Sequence, residues 1–160
     1  MQPNRLIRTR LTERLARATK FPIAALIAPA GFGKTVALRD FLTTGRLDAI
    51  RYDVGREDDT LFKFAARLSE ALREVAPGAH AAYAAMEQQV IGAAEPARQI
   101  CDWFVVHLKR VVCTIVIDDL HFASHDPATL RFLCELIDRT CERIAWILTS
   151  PPLEVCARAF

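Results

Sequence analysis

Two apolar segments that contain no charged residue constrain this chain most. Residues 22–28 read Pro-Ile-Ala-Ala-Leu-Ile-Ala, and residues 111–117 are rich in valine and isoleucine. Continuous runs of this kind, in which polar residues do not alternate with apolar ones, are typical of strands buried on both faces. Because helical patterns separate these strands along the chain, the sequence predicts a parallel sheet in an α/β fold.

The rest of the chain alternates between strand and helix patterns. Further strands are predicted at residues 49–54 and 144–149, and helices are predicted at residues 5–19, 34–44, 61–75, 80–93, 97–109 and 127–140. Asp126 is expected to cap the last helix, with Pro127 at its first position. The predicted organisation is an N-terminal helix in residues 1–20, a core in residues 21–150 and a tail in residues 151–160.

The composition indicates the class of protein but not its function. The 160 residues are 52% apolar and 25% charged, as in one ordinary globular domain, and the formal charge of +2 argues neither for nor against a nucleic-acid partner. Five cysteines without a C-x-x-C pair indicate reduced thiols. The uncharged run from Phe21 to Phe32 is too short to span a bilayer and no signal peptide is evident, so we expect a cytoplasmic protein without a membrane partner.

The residues directly after the first apolar segment carry the most informative motif. Residues 28–35 read A-P-A-G-F-G-K-T, a P-loop with alanine at its first glycine position, between a predicted strand and a predicted helix. Gly31 and Gly33 allow successive N–H groups to approach phosphates closely, and the helix start adds the positive end of its dipole. Lys34 would supply a charge for the β- and γ-phosphates, and Thr35 a hydroxyl ligand for Mg²⁺.

These properties predict a site for ATP or ADP with Mg²⁺. We expect the nucleotide to contact Ala30, Gly31, Phe32, Gly33, Lys34, Thr35 and Val36.

Two carboxylates follow the second apolar segment. Asp118 is expected to face Mg²⁺, directly or through a water, and Asp119 to orient or deprotonate an attacking water. An acidic cap after a strand is the alternative interpretation. Thr149, at the end of the last predicted strand, is a second candidate catalytic residue that could contact the γ-phosphate or the water, although a satisfied strand-end hydroxyl explains it nearly as well.

Two histidines lie close to these carboxylates in the sequence. His121 and His125 have the i, i+4 spacing of a metal pair on a helix, but Ser124 to Pro127 reads as a loop. A transition-metal site is therefore not favoured. We expect His121 to lie near the γ-phosphate or to pack under the P-loop.

On these residues the chain resembles a known family, the STAND-type signalling ATPases. It resembles in particular the nucleotide-binding domain of large bacterial transcription activators of the maltose-activator (MalT) type in the LuxR group. The resemblance runs from about Arg8 to Ser150. It rests on Thr9-Arg10-Leu11, residues 28–35, Tyr52-Asp53 with Gly55, Asp58 and Phe62, and residues 117–121.

The resemblance implies a fold, a switch and a set of partners. The implied fold is a three-layer αβα P-loop NTPase sandwich with parallel strand order 5-1-4-3-2, the fifth strand being absent here, and Arg10 would border the adenine. In the family the ATP-bound form is active and oligomerises, and slow hydrolysis resets it. The implied partners are the rest of a regulator chain or a second copy, with DNA bound only through domains absent from these residues. The chain would then be a fragment or a truncated reading frame.

Two departures from the family pattern affect the site. Arg56 stands where the family tends to have an acidic residue, and Pro151 stands where it has an arginine. Two other functions stay open, a P-loop phosphotransferase acting on a small substrate and a non-catalytic nucleotide-binding scaffold. A phosphotransferase would need an arginine-rich lid, which we do not find after the second apolar strand.

Overall fold

The computed structural model describes Glu13 and residues 15–17, 20–29, 31–45 and 48–152. Most of the predicted N-terminal helix, including Arg10, lies outside these residues. So do Ala30 and most of the predicted tail.

A parallel sheet forms the centre of the described chain. Its strands are β1 (Ile23–Ile27), β2 (Ala49–Asp53), β3 (Cys113–Asp118) and β4 (Ile144–Ser150), and they are arranged in the order β1-β4-β3-β2. Every pairing is parallel. The predicted parallel sheet is confirmed, and the order is the one that the family resemblance implies without a fifth strand.

Helices connect the strands and begin where the local sequence allows a helix start. They are α1 (Lys34–Gly45), α2 (Leu61–Ala71), α3 (Pro77–Val90), α4 (Pro96–Leu108) and α5 (Pro127–Thr140). Proline occupies the first turn of α3, α4 and α5, where its missing N–H has no intrahelical partner to lose. Pro77 therefore starts a helix three residues earlier than the sequence pattern predicts.

Different helices pack on the two faces of the sheet. Val116 and Ile147 pack with Ala24 on one face, against Leu38 of α1. The alternate residues of β3 and β4, such as Ile117 and Trp146, face the larger core. Helices α2 to α5 contribute Phe64, Tyr83, Phe104 and Phe132 to that core. The result is the predicted three-layer αβα sandwich.

The ends of the strands are joined by hydrogen bonds that continue beyond the sheet. The N–H of Ala28 donates to the carbonyl of Ser150 at 3.2 Å, and the N–H of Val54 donates to the carbonyl of Asp118 at 3.0 Å. The loops that follow these strands therefore all start at the carboxyl ends of the strands, on the same side of the sheet. Among the described residues, no helix is long and apolar enough to cross a membrane.

Candidate nucleotide-binding site

The loop after β1 has the backbone conformation that its glycines permit. Gly31 has φ of +81° and Gly33 has φ of +73°, both in the left-handed region. A Cβ at Gly31 would meet no atom within 4 Å, so backbone conformation and not lack of space requires glycine there. The N–H of Ala37 donates to the carbonyl of Gly33 at 2.9 Å, which joins the loop directly to the first turn of α1.

Lys34 places its ammonium group inside this loop. The residue is only 8% exposed, although lysine is seldom buried. Its Nζ donates hydrogen bonds to the carbonyl of Ala28 at 2.7 Å and to that of Pro29 at 3.2 Å. The loop is therefore folded around a positive charge at the N-terminus of a helix of 12 residues.

A cavity of about 400 Å³ adjoins the loop. It is lined by residues of the loop and of the start of α1, namely Gly31, Gly33, Lys34, Thr35 and Val36, and also by residues that follow β3, among them Asp119 and His121. Phe32 and Val36, two further predicted contacts, are exposed. The fold thus brings the P-loop residues together with Asp119, which is 84 residues further along the chain than Thr35.

Asp118 does not line this cavity and is instead enclosed by hydrogen-bond donors. The residue is 1% exposed. The hydroxyl of Thr149 donates to Oδ1, and the N–H of Asp119 lies 3.2 Å from the same atom. Nη2 of Arg51 donates to Oδ2 at 2.6 Å. Both carboxylate oxygens therefore have partners within the protein.

Arg51 belongs to this site but is not among the site residues that the sequence predicts. It lies on β2, and its Nε also donates to Oδ1 of Asp53 at 2.6 Å, so that one guanidinium bridges two carboxylates. Asp53 and Asp118 are register partners on neighbouring strands. A single arginine two residues before an aspartate, in an otherwise apolar strand, is the signal that could have pointed to it.

Thr149 has the contacts of a satisfied strand-end hydroxyl. It is fully buried, its Oγ1 accepts the N–H of Asp119 at 3.0 Å, and the same hydroxyl donates to Asp118. Asp119 has φ of 57°, the left-handed conformation that non-glycine residues rarely adopt. Thr149 therefore helps to hold the turn that presents Asp119 to the cavity.

His121 packs on the aromatic ring that follows it. The ring centroids of His121 and Phe122 are 4.0 Å apart, and the Arg56 guanidinium lies 6.0 Å from the Phe122 centroid. Nδ1 of His121 is 3.9 Å from a carboxylate oxygen of Asp119, too far for a hydrogen bond. Within the described part of the chain, no three His, Cys, Asp or Glu side chains converge as a metal cluster.

Comparison with known proteins bears on the fold. Neither a family model nor a curated protein matches the sequence. The structure is similar to the Walker-type ATPase paby2304 of Pyrococcus abyssi, with a TM-score of 0.57 and 14% identity over 93% of this chain and 46% of that one. It is also similar to the ORC1 protein of Aeropyrum pernix, solved in complex with DNA, with a TM-score of 0.61 and 18% identity over 99% of this chain and 42% of that one.

This chain therefore spans less than half the length of either protein. Identities this low establish the fold alone. The described residues have the fold of the P-loop ATPases.

Proposed function

We propose that this chain binds ATP or ADP with Mg²⁺ in the cavity beside the P-loop. The observation that carries the proposal is the buried Lys34, whose Nζ lies 2.7 Å from a carbonyl of a loop that has two glycines in the left-handed conformation. A loop of this shape at a helix N-terminus turns N–H groups toward a bound anion. A polyphosphate is the ligand class that needs both the N–H groups and the charge.

The donor set also fits a hard divalent cation. Thr35 lines the cavity, and Asp118 offers a carboxylate at the end of β3, directly before the cavity-lining Asp119 in the chain. Mg²⁺ is usually held by one or two carboxylates together with substrate phosphates, so a larger protein cluster is not required. When bound, Mg²⁺ would neutralise charge on the β- and γ-phosphates.

Asp119 is the residue we propose for hydrolysis. Its side chain is 42% exposed, and the residue lines the same cavity as Thr35 and Lys34. Its carboxylate can accept a hydrogen bond from a water and orient it, and Thr149 acts on that group only by fixing its backbone. Among the described residues that line the cavity there is no arginine. Hydrolysis should therefore be slow, since an arginine finger contributes about 10³ to 10⁵ in rate.

We further propose that the module is a signalling switch of the STAND type, part of a longer bacterial transcriptional regulator. The motifs at residues 28–35 and 117–121 support this assignment. The Aeropyrum pernix protein was solved in complex with DNA, whereas we expect any DNA contact of this regulator to come from other domains.

Substitution of Lys34 tests nucleotide binding. Lys34→Ala should weaken ATP and ADP affinity by roughly tenfold or more, the scale of a lost hydrogen bond to a charged group. Titration calorimetry would measure both nucleotides in the full chain. Lys63→Ala is the control, because Lys63, on α2, is exposed and pairs with Asp59 in the preceding loop. Equal ADP affinity in the wild type and Lys34→Ala would contradict the proposal.

A further inference from the structure

We propose that Arg51 competes with Mg²⁺ for Asp118 and thereby sets the Mg²⁺ concentration that the nucleotide site requires. The inference rests on the proposed function, because it concerns the metal that accompanies the nucleotide. Arg51 is then a positioning residue that acts through Asp118.

Each carboxylate oxygen of Asp118 already accepts at least one hydrogen bond within the protein. Oδ1 accepts from Thr149 and from the N–H of Asp119, and Oδ2 accepts from Arg51 at 2.6 Å. With Asp118 only 1% exposed, a cation can reach the carboxylate only if one of these donors leaves. The metal and one donor therefore exclude each other.

Arg51 is the donor that would leave when a cation binds Asp118. Thr149 is fully buried, and the N–H of Asp119 belongs to the backbone of a turn. The Arg51 side chain is 27% exposed and is the only charged one of the three donors. A divalent cation at Asp118 would repel the guanidinium, whereas it would polarise the two neutral donors without expelling them.

Arg51 would keep a partner after it leaves Asp118. Its Nε already donates to Asp53, whose side chain is 68% exposed, at 2.6 Å. A side-chain rotation can break the Asp118 contact and retain the Asp53 contact, so no buried charge is left unpaired. Arg51 can therefore pair with either of two carboxylates, and only one of them, Asp118, is proposed to bind the metal.

The experiment measures how the ATP affinity of the full chain depends on Mg²⁺. Arg51→Gln should lower the half-maximal Mg²⁺ concentration by about tenfold, the scale of one charge-assisted contact on a buried carboxylate. Arg139→Gln is the matched control, because Arg139 is 35% exposed and pairs with Asp102 at 2.5 Å, on two helices that pack in the core on the sheet face opposite α1. That control should retain the wild-type Mg²⁺ requirement.

Melting temperature with Mg²⁺ alone gives a readout that does not depend on the nucleotide. Arg51→Gln should be stabilised by Mg²⁺ at about tenfold lower concentrations than the wild type, the same factor that is expected with ATP. If Arg51 only braced β2 against β3, the variant would melt lower by the same amount at every Mg²⁺ concentration, and the inference would be overturned. A wild type that binds no nucleotide at any Mg²⁺ concentration would instead refute the proposed function, and the Mg²⁺ melting comparison would still decide the role of Arg51.

A second variant tests the same idea if Arg51→Gln does not fold. Asp53→Asn changes an exposed carboxylate and removes the alternative partner of Arg51. Arg51 should then pair more firmly with Asp118, so the half-maximal Mg²⁺ concentration should rise. An unchanged or lower Mg²⁺ requirement in Asp53→Asn would overturn the inference.

Discussion

Asp118 and Asp119 are adjacent in the chain but have opposite surroundings. Asp118 ends β3 and is buried among donors, whereas Asp119 leaves the strand with φ of 57° and reaches the cavity. The left-handed turn is what separates them, because an extended residue 119 would continue the strand. Two neighbouring carboxylates can in this way serve different chemistry, metal binding at one and water at the other.

Asp119→Asn separates these roles. We expect the nucleotide affinity to stay within about twofold of the wild type, while hydrolysis falls by about 10² to 10⁴, the usual contribution of a general base. Phosphate release under single-turnover conditions and calorimetry measure the two quantities. Asp59→Asn changes an exposed carboxylate on another loop and serves as the control. Unchanged phosphate release in Asp119→Asn would remove this residue from the mechanism.

At the scale of elements, two helices share one cap. Thr60 occupies the N-cap position of α2 but makes no side-chain capping hydrogen bond. Asp126 takes that role from the start of α5, since its Oδ2 accepts the N–H of Leu61 at 2.7 Å. Its Oδ1 accepts the N–H of Ala128 at 3.1 Å, as the sequence predicts for the N-cap of α5. One carboxylate therefore fixes the start of α2 against the start of α5.

This shared cap predicts unequal effects at the two N-cap positions. Asp126→Ala should lower the free energy of unfolding by about 2 to 3 kcal/mol, because it leaves donors of two helices without an acceptor. Thr60→Ala should change it by less than about 0.5 kcal/mol. Urea unfolding followed by circular dichroism measures both variants. Comparable losses would show that Asp126 does not cap α2.

At the scale of the whole molecule, β1 forms one edge of the described sheet. It pairs with β4, and no other described strand lies beside it. Its residues Ile23, Ala25 and Ile27 line an apolar cavity of about 360 Å³, and Ile27 is 51% exposed. An apolar edge strand without charges is a template for pairing with another chain.

The exposed edge predicts that the 160-residue chain self-associates as its concentration rises. Ala25→Lys should shift the chain toward monomer, because it places a charge on this apolar edge. Val112→Lys is the control, since Val112 is 78% exposed but precedes β3. Sedimentation velocity over a concentration series measures the fraction of monomer in the wild type and in both variants. A wild type that stays monomeric throughout would show that this edge does not pair.

The sequence alone predicted the features whose causes lie within a few neighbouring residues. The apolar runs at residues 22–28 and 111–117 indicated buried parallel strands because no alternation exposed one face. The glycines and lysine of residues 28–35 located the P-loop, and Asp126 with Pro127 located a helix start. The strand order, by contrast, followed from the family resemblance and not from any residue pattern.

Tertiary structure decided which side chains meet across the sheet. Arg51 and Asp118 are 67 positions apart, and Leu61 and Asp126 are 65 apart, so no local pattern could pair them. The first pair depends on the register of β2 against β3, which places Asp53 beside Asp118. Register is set by packing of the whole apolar face. The enclosure of Asp118 therefore emerges only when the sheet has formed.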